Sequence, residues 1–392
     1  MGTVVAMSRP QVGQSHIRFN SSPAPTVGVE VELWLLDRHT GALVPAADDV
    51  LRTMSEGHPG EHPKAKHELF RSTIEVITGI CDTVPAAGSD LRATIAELAT
   101  VGGSMEIDLM ASGTHPFSRW QDQLISPGAR YQEFVGRLGW PVRRLAITGL
   151  HVHVGVSGPG AAIALTRSLC EQLPLLLALS ASSPFWEGAD TDLASVRTKV
   201  FESLPTSGLP PQMNDWRDFE LFMHALLRAR VISSVREVWW DIRPHPNFGT
   251  VEFRMCDAVP TLSETLGVAA LAQCLVVEAE RRFADGDPLP GPRDWVLAEN
   301  KWLACRHGLE AELLVDDVGN RQDARTLLAA LVQRLAPLAV ELGCGSELSG
   351  VLEVLERGGA SSRQRAVLES GGGVDAVVEH LVAEFRGPGG FL

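Results

Sequence analysis

The chain has 392 residues, 45% hydrophobic and 21% charged, an ordinary globular composition long enough for one large domain or two smaller ones. A formal net charge of −14 argues against non-specific binding to nucleic acid or anionic membrane. It leaves room for an anionic small substrate, because a divalent cation reverses the sign of a local field.

The first 25 residues are polar and rich in Ser, Pro and Gly, with no apolar core, and predict a flexible N-terminal arm rather than a targeting peptide. Residues 26–392 read as a single composite domain with a helical C-terminal portion, since no internal repeat or low-complexity linker divides them. Residues 26–36 (TVGVEVELWLL) alternate as a strand, with Val29, Val31, Leu33 and Leu35 on one face and Glu30, Glu32 and Trp34 on the other. Two glutamates side by side repel unless solvated or bound to a cation, and no Lys or Arg lies between Thr26 and Asp37. A short helix is expected over 45–54. Residues 72–78 are β-branched enough for a strand, so Glu68 and Glu75 flank its start and interior; from spacing alone they are equally readable as surface charges. His67-Glu68 does not begin an HExxH zinc motif, because position 71 is Arg.

Residues 89–100 predict an amphipathic helix capped by Ser89 and ended by Gly102-Gly103, and 128–138 predict another. Residues 145–156 (LAITGLHVHVGV) form a strand with His151 and His153 on one face and Val152, Val154 and Val156 on the other. One such histidine is usually structural; two together point towards metal or phosphate. Residues 161–182 are apolar nearly all round and predict a buried helix. The longest apolar run, 173–183, contains Pro174 and is too short to span a membrane. Helices are expected over 191–203, carrying Arg197, and over 215–231, capped by Asp215.

Residues 239–257 (WWDIRPHPNFGTVEFRMCD) predict a β-hairpin. One arm places Asp241 beside Arg243 and the other Glu252 beside Arg254, each with an apolar opposite face. Helices over 263–284, 295–307, 322–342, 346–357 and 374–385 complete the chain. Glu299, Asn300, Lys301 and Arg306 read as a solvated helix face. The six cysteines (Cys81, Cys170, Cys256, Cys274, Cys305, Cys344) have no CxxC spacing and suit reduced, buried thiols in a cytoplasmic protein.

These polar pairs share strand spacing, so antiparallel pairing in one sheet would gather them on one face. Carboxylates and imidazole without thiolate suit Mg²⁺ or Mn²⁺, and about two to three such ions would offset the repulsion and attract a triphosphate. No GxxxxGK[ST] loop and no GxGxxG after a strand is present, so spacing alone reaches an acidic metal site and not a nucleotide.

Six ordered segments resemble the glutamate–cysteine ligase type 2, or carboxylate–amine ligase, family: GVEVEL at 28–33, KHELFRSTIEV at 66–76, GLHVHVG at 149–155, SVRTKVFESLPTSGLPP at 195–211, the hairpin at 239–257 and ENKWLACRHGL at 299–309. The resemblance implies an α+β, glutamine-synthetase-like fold, a curved antiparallel β-sheet forming a funnel with helices packed outside. It implies ATP-dependent joining of a small carboxylate, by family default glutamate, to an amine, by default cysteine. It assigns Glu30, Glu32, Glu68, Glu75, His151 and Glu252 to metal, His153 to substrate or nucleotide, Arg254 to the transferring phosphate, and Arg197 and Arg243 to substrate or phosphate contact. Another acid and amine pair, or a Mg²⁺-dependent small-molecule phosphotransferase on the same metals, remains an alternative. Self-association is left open.

Overall fold

The computed structural model describes residues 16–392 apart from positions 57, 290 and 292. Its organising strand is β1 (Val27–Asp37), whose alternation buries Val27, Val29, Val31, Leu33 and Leu35 and turns Glu30 and Glu32 to the opposite face. Around it run β2 (Ala65–His67), β3 (Thr73–Ile77), β4 (Ile107–Met110) and β5 (Gly149–Gly155). Three small pairs lie apart: β6 (Phe185–Trp186) with β7 (Ala189–Asp190), β8 (Ser207–Gly208) with β9 (Trp239–Trp240), and β12 (Glu312–Leu314) with β13 (Arg321–Asp323). The hairpin of β10 (Ile242–His245) and β11 (Thr250–Asp257) completes the main sheet, in the order β10-β11-β5-β1-β3-β2 with β4 also on β1. Every pairing in this seven-stranded sheet is antiparallel.

The apolar face packs against helices. Helix α1 (Ala47–Met54) and α2 (Val84–Ser104) cover one end; α5 (Pro159–Leu169), α6 (Leu173–Ser180) and α9 (Leu262–Ala284) cover the middle. Between them in sequence lie α3 (Ala129–Leu138) and α4 (Trp140–Arg143), and then α7 (Val196–Phe201) and α8 (Trp216–Arg228). Helices α10 (Asp294–His307), α11 (Ala324–Glu341), α12 (Gly345–Arg357), α13 (Ala360–Glu369) and α14 (Val374–Arg386) form the C-terminal layer. The segments Pro159–Ser180 and Leu262–Ala284 are long and apolar enough to cross a membrane, yet both lie mostly inside this core. All six cysteines are buried, and none is in a disulfide.

Several helices differ from the sequence expectation. Helix α2 starts at Val84, not at 89: Thr83 accepts the N–H of Ala86, Pro85 suits the first turn, and Ser89 bonds back to the Pro85 carbonyl. It also passes through Gly102-Gly103 to Ser104, and the N–H of Met105 still donates to Gly102 O. The single helix expected over 161–182 is broken at Cys170–Gln172 by a 3₁₀ turn ahead of Pro174. The helix expected over 191–203 shortens to α7, capped by Ser195.

The expected arm lies outside the described residues over positions 1–15. Its remainder lies along the body, with Asn20 N–H donating to Pro246 O and Ser22 N–H to Val156 O, both at 2.9 Å. Gly249 closes the β10–β11 turn at φ +69°, and a Cβ there would stand 1.6 Å from Asn20 O. The turn and the arm therefore both require glycine.

Candidate active site

Strand register assembles the polar face. Across it, Arg243 pairs with Glu252, Glu252 with His153, His153 with Gly28, His151 with Glu30, and Glu32 with Glu75. The period of two puts all these side chains on the face away from the apolar core. The pairs Glu30/Glu32, His151/His153 and Glu252/Arg254 thus share one face, and Glu68, just beyond β2, joins them: Glu32, Glu68 and Glu75 each have an oxygen within 4.8 Å of the others. Two further groups have the same reach, Glu30 with Glu75 and His151, and Glu30 with His153 and Glu252.

Glu252 is the most heavily tied carboxylate. It accepts Arg243 Nε at 2.6 Å and Nη2 at 3.3 Å, accepts Arg254 Nη1, and lies 3.7 Å from His153 Nε2. Burial opposes its charge, but Arg243, Arg254 and His153 outweigh burial and hold it well below the ordinary carboxylate range. Arg243 also donates to the carbonyls of Arg236 and Val238, so four of its five N–H groups are engaged. The guanidinium of Arg254 keeps a buried Nε without a partner. A bulge between Phe253 and Cys256 adds one residue to β11 here, and Arg254 N–H donates to Asp241 O at 2.8 Å.

Arg197 enters from α7. It is buried and donates to the carbonyls of Met255 (3.1 Å) and Arg254 (3.3 Å), with its Nε unpartnered. The guanidinium lies over Gly149, where a Cβ would come 2.3 Å from Nη2. Asp257 steadies this corner by accepting from Ser182 N–H and the hydroxyls of Ser183 and Ser195 at 2.6–2.9 Å.

The acid cluster tests the fit for a cation. Burial, and then the charge of Glu68, push Glu32 up to about 8. Burial, with Glu30, Glu68 and Glu32 as neighbours, pushes Glu75 well above the ordinary range. Carboxylates this crowded suit divalent cations held by oxygen and imidazole. The histidines fit as well. Burial pushes His151 down to about 4, leaving a neutral ring. The His153 ring bonds Thr250 Oγ1 through Nδ1 at 3.0 Å and leaves a buried Nε2 without a hydrogen-bond partner, 3.4 Å from Glu30. Elsewhere, His58, His62 and Glu97 also approach one another. There His62 Nδ1 accepts the N–H groups of Lys64 and Ala65, so in the neutral ring Nε2 keeps its proton and is no ligand.

Two chambers meet at this row of acids. One, of about 300 Å³, is lined by Glu32, Glu68, Glu75, Arg197 and Arg254 and by an apolar wall from α3 and the 201–204 segment. The other, of about 610 Å³, is mainly apolar and is bounded by Val27, Gly28, Ile77, Ile80, Phe248 and the 20–23 segment. Glu30 lines both.

Two sequence expectations fail here. Asp241 does not line the cleft beside Arg243: the chain breaks between β9 and β10, and its carboxylate bonds Lys301 instead. Lys301 is not solvated but buried between Asp241 and Glu202. Asn300 bonds the Leu314 backbone through both N–H and C=O. Sequence reasoning also missed Asp257, Thr250 and the lining residues Arg130, Tyr131 and Arg236. The cluster of serines around 180–183 and the cap at Ser195 were the available signal for Asp257.

The chain matches the family described as glutamate-cysteine ligase family 2 over residues 26–380. A protein of Thermobifida fusca, provisionally named glutamate–cysteine ligase 2, is 46% identical over 94% of this chain and 93% of its own length. A Frankia alni protein with the same provisional name, copy 2-1, is 47% identical over 94% and 97%. Among solved structures, the Francisella tularensis glutamate–cysteine ligase in complex with AMP superposes with TM-score 0.66, at 13% identity over 95% of this chain and 90% of that one. The bifunctional glutathione synthetase of Pasteurella multocida gives 0.67 at 14% identity, over 92% and 52%. These structures share the fold, and the sequence relatives share the family: the chain belongs to glutamate–cysteine ligase family 2, ATP-dependent ligases that form C–N bonds.

Proposed function

We propose that the chain joins a small carboxylate, with glutamate as the first candidate, to an amine, with cysteine as the first candidate, through an acyl phosphate in the cytoplasm. The observation that carries this reading is the convergence of Glu30, Glu32, Glu68, Glu75, His151, His153 and Glu252 on one sheet face beside Arg254. Mg²⁺ or Mn²⁺ held by Glu30, Glu32, Glu68, Glu75, His151 and Glu252 would neutralise phosphate charge and polarise the γ-phosphoryl group.

The chain's own groups do the rest. The apolar chamber beside Glu30 takes the nucleotide base, and the chamber beyond the acids takes the carboxylate and the amine. A carboxylate oxygen attacks the γ-phosphorus, an acyl O–P bond forms, and the bond to the β-phosphate oxygen breaks to release ADP. Negative charge grows on the three equatorial oxygens, and Arg254, aimed there by Glu252, stabilises it. Arg197 holds the outgoing phosphate oxygens on the other side. The amine then attacks the acyl carbon, the C–O bond to phosphate breaks, and the departing phosphate takes up the proton of the amine. Walls that exclude water keep the acyl phosphate from hydrolysis.

The test measures ADP release with MgATP and glutamate, with and without cysteine, and reads the product by mass spectrometry. Amine-dependent release with a new amide is the expected result. A stable phosphorylated product formed without amine would overturn the ligase reading.

A further inference from the structure

Large apolar side chains open to solvent are ordinary when scattered singly over a surface. Phe248 and Ile80 are not scattered: they are 55% and 87% exposed, and both line the apolar chamber beside Glu30. Phe248 lies in the β10–β11 turn and Ile80 follows β3, so the two stand on either side of β5 and β1 in the sheet.

Each is carried by fixed backbone. Around Ile80, the Thr78 N–H donates to Val29 O and the Cys81 N–H to Val27 O, both at 2.9 Å, and the Gly79 N–H reaches Asp90 Oδ2 at 2.8 Å. Around Phe248, the Gly249 N–H donates to His245 O at 2.9 Å and the Phe248 N–H to His245 Nδ1 at 3.3 Å. The N-terminal segment holds the same turn from outside. Asn20 donates its backbone N–H to Pro246 O and its side-chain amide to Asn247 O, both at 2.9 Å. That segment is itself anchored on α8, where Trp216 Nε1 donates to Ile17 O at 3.0 Å and Phe19 meets the Trp216 ring edge-on at 5.3 Å.

One face of the Phe248 ring is taken. It stacks on His245 with centroids 4.1 Å apart and planes 12° from parallel, and it meets His153 edge-on at 5.5 Å. The half-exposed ring leaves its second face open. His153 lies 3.4 Å from Glu30, so this aromatic group stands beside the acid row, and Phe248 lines the chambers on both sides of it.

Resting on the placement of the nucleotide base in the apolar chamber, we infer that Phe248 is a specificity-determining residue for the nucleotide. The base stacks on its free face, Ile80 adds an apolar contact from the other side of β5 and β1, and the N-terminal segment keeps the turn in place. Cations on the acid row hold phosphates whatever base they carry, so the base has to be read further along the ligand. A ligand with its phosphates on that row and its remainder in a chamber of about 610 Å³ passes this ring. A purine is planar with two π faces, and an aromatic ring with one open face is its natural platform.

Calorimetric titration of the full chain with Mg²⁺ compares a non-hydrolysable ATP analogue with tripolyphosphate, which has the phosphates and no base. Phe248→Ala is expected to weaken the ATP analogue at least about tenfold, the scale of losing one base–aromatic stack, and tripolyphosphate by less than about threefold. Phe248→Leu keeps bulk without the ring and is expected to weaken the analogue at least about fivefold, whereas Phe248→Tyr keeps the ring and should stay within about threefold of wild type. An unchanged melting temperature shows that each variant is folded. Unchanged analogue affinity in Phe248→Leu, an equal loss for tripolyphosphate, a loss in Phe248→Tyr as large as in Phe248→Leu, or no binding of the analogue by the wild type overturns the inference. The ligase reading fails on a different result, a stable phosphorylated product formed from MgATP without amine. That result leaves the base stack standing, since a phosphotransferase binds the same nucleotide.

Discussion

Lys301→Met tests how the C-terminal helices hold the catalytic hairpin. The Lys301 ammonium is buried, 2.5 Å from Asp241 and 2.7 Å from Glu202. Burial opposes its charge, but Asp241 and then Glu202 outweigh burial and raise its pKa, so at neutral pH it is fully charged. Methionine has similar bulk and no charge, and would leave Asp241 as a buried carboxylate without its partner. Breaking a buried pair in this way costs about 3–5 kcal/mol. Asp241→Asn combined with Lys301→Met removes both charges, so the double variant should be less destabilised than the sum of the single ones by about 1–3 kcal/mol. The assay is urea unfolding at pH 7 followed by tryptophan fluorescence on all four forms. Turnover should fall as well, because the Asp241 carbonyl receives Arg254 N–H. A loss below about 1 kcal/mol in Lys301→Met, or strict additivity, would refute the reasoning.

Glu252→Gln and Arg254→Ala should each lower ligase turnover by at least about 100-fold, the scale of losing one charge-stabilising donor, with an unchanged circular dichroism spectrum; near-normal turnover in either would remove them from the reacting centre. Gly149→Ala should destabilise by about 2–4 kcal/mol, because a Cβ 2.3 Å from Arg197 Nη2 drives that guanidinium off two buried carbonyls; thermal unfolding reads it. Stability should also depend on pH through His115. Its Nδ1 accepts the N–H groups of Phe117 and Ser118, its Nε2 donates to Gly41 O, and burial pushes its pKa down to about 4. The unfolded ring takes up its proton near 6.5, so this contribution, about 3 kcal/mol, is full above that pH and is lost as pH falls towards 4. His115→Gln should flatten urea midpoints measured across this range, and a variant with the wild-type slope would assign the pH dependence elsewhere.

Much of the polar face was legible because a strand has a period of two. Glu30 with Glu32, and His151 with His153, declare a shared face within a few residues, whatever the strands pair with. Glu68 and Glu75 were ambiguous, since β2 and the turn after it carry no clear pattern, and only pairing across β3 brings Glu75 opposite Glu32. Lys301 was misread for a related reason. A charged residue in a helix looks solvated until a distant carboxylate is placed against it, and Asp241 is 60 residues away. Asp241 was misread in turn, because strand alternation was carried across a break between β9 and β10 that the sequence does not mark.

By itself the sequence determined the main strands and most of the long helices, the acid-rich face of β1, the paired histidines of β5 and the family. Those follow from local periodicity and ordered motifs, which need no knowledge of what lies across the sheet. Tertiary structure alone decided the register that sets Glu30 against His151 and Glu252 against His153, the bulge at Arg254, and the Lys301–Asp241 pair. It also decided that the Arg243 and Arg254 guanidiniums are spent on Glu252. Charge partnership is a property of distance in space, and these partners are brought together only when β5 and β11 close against β1.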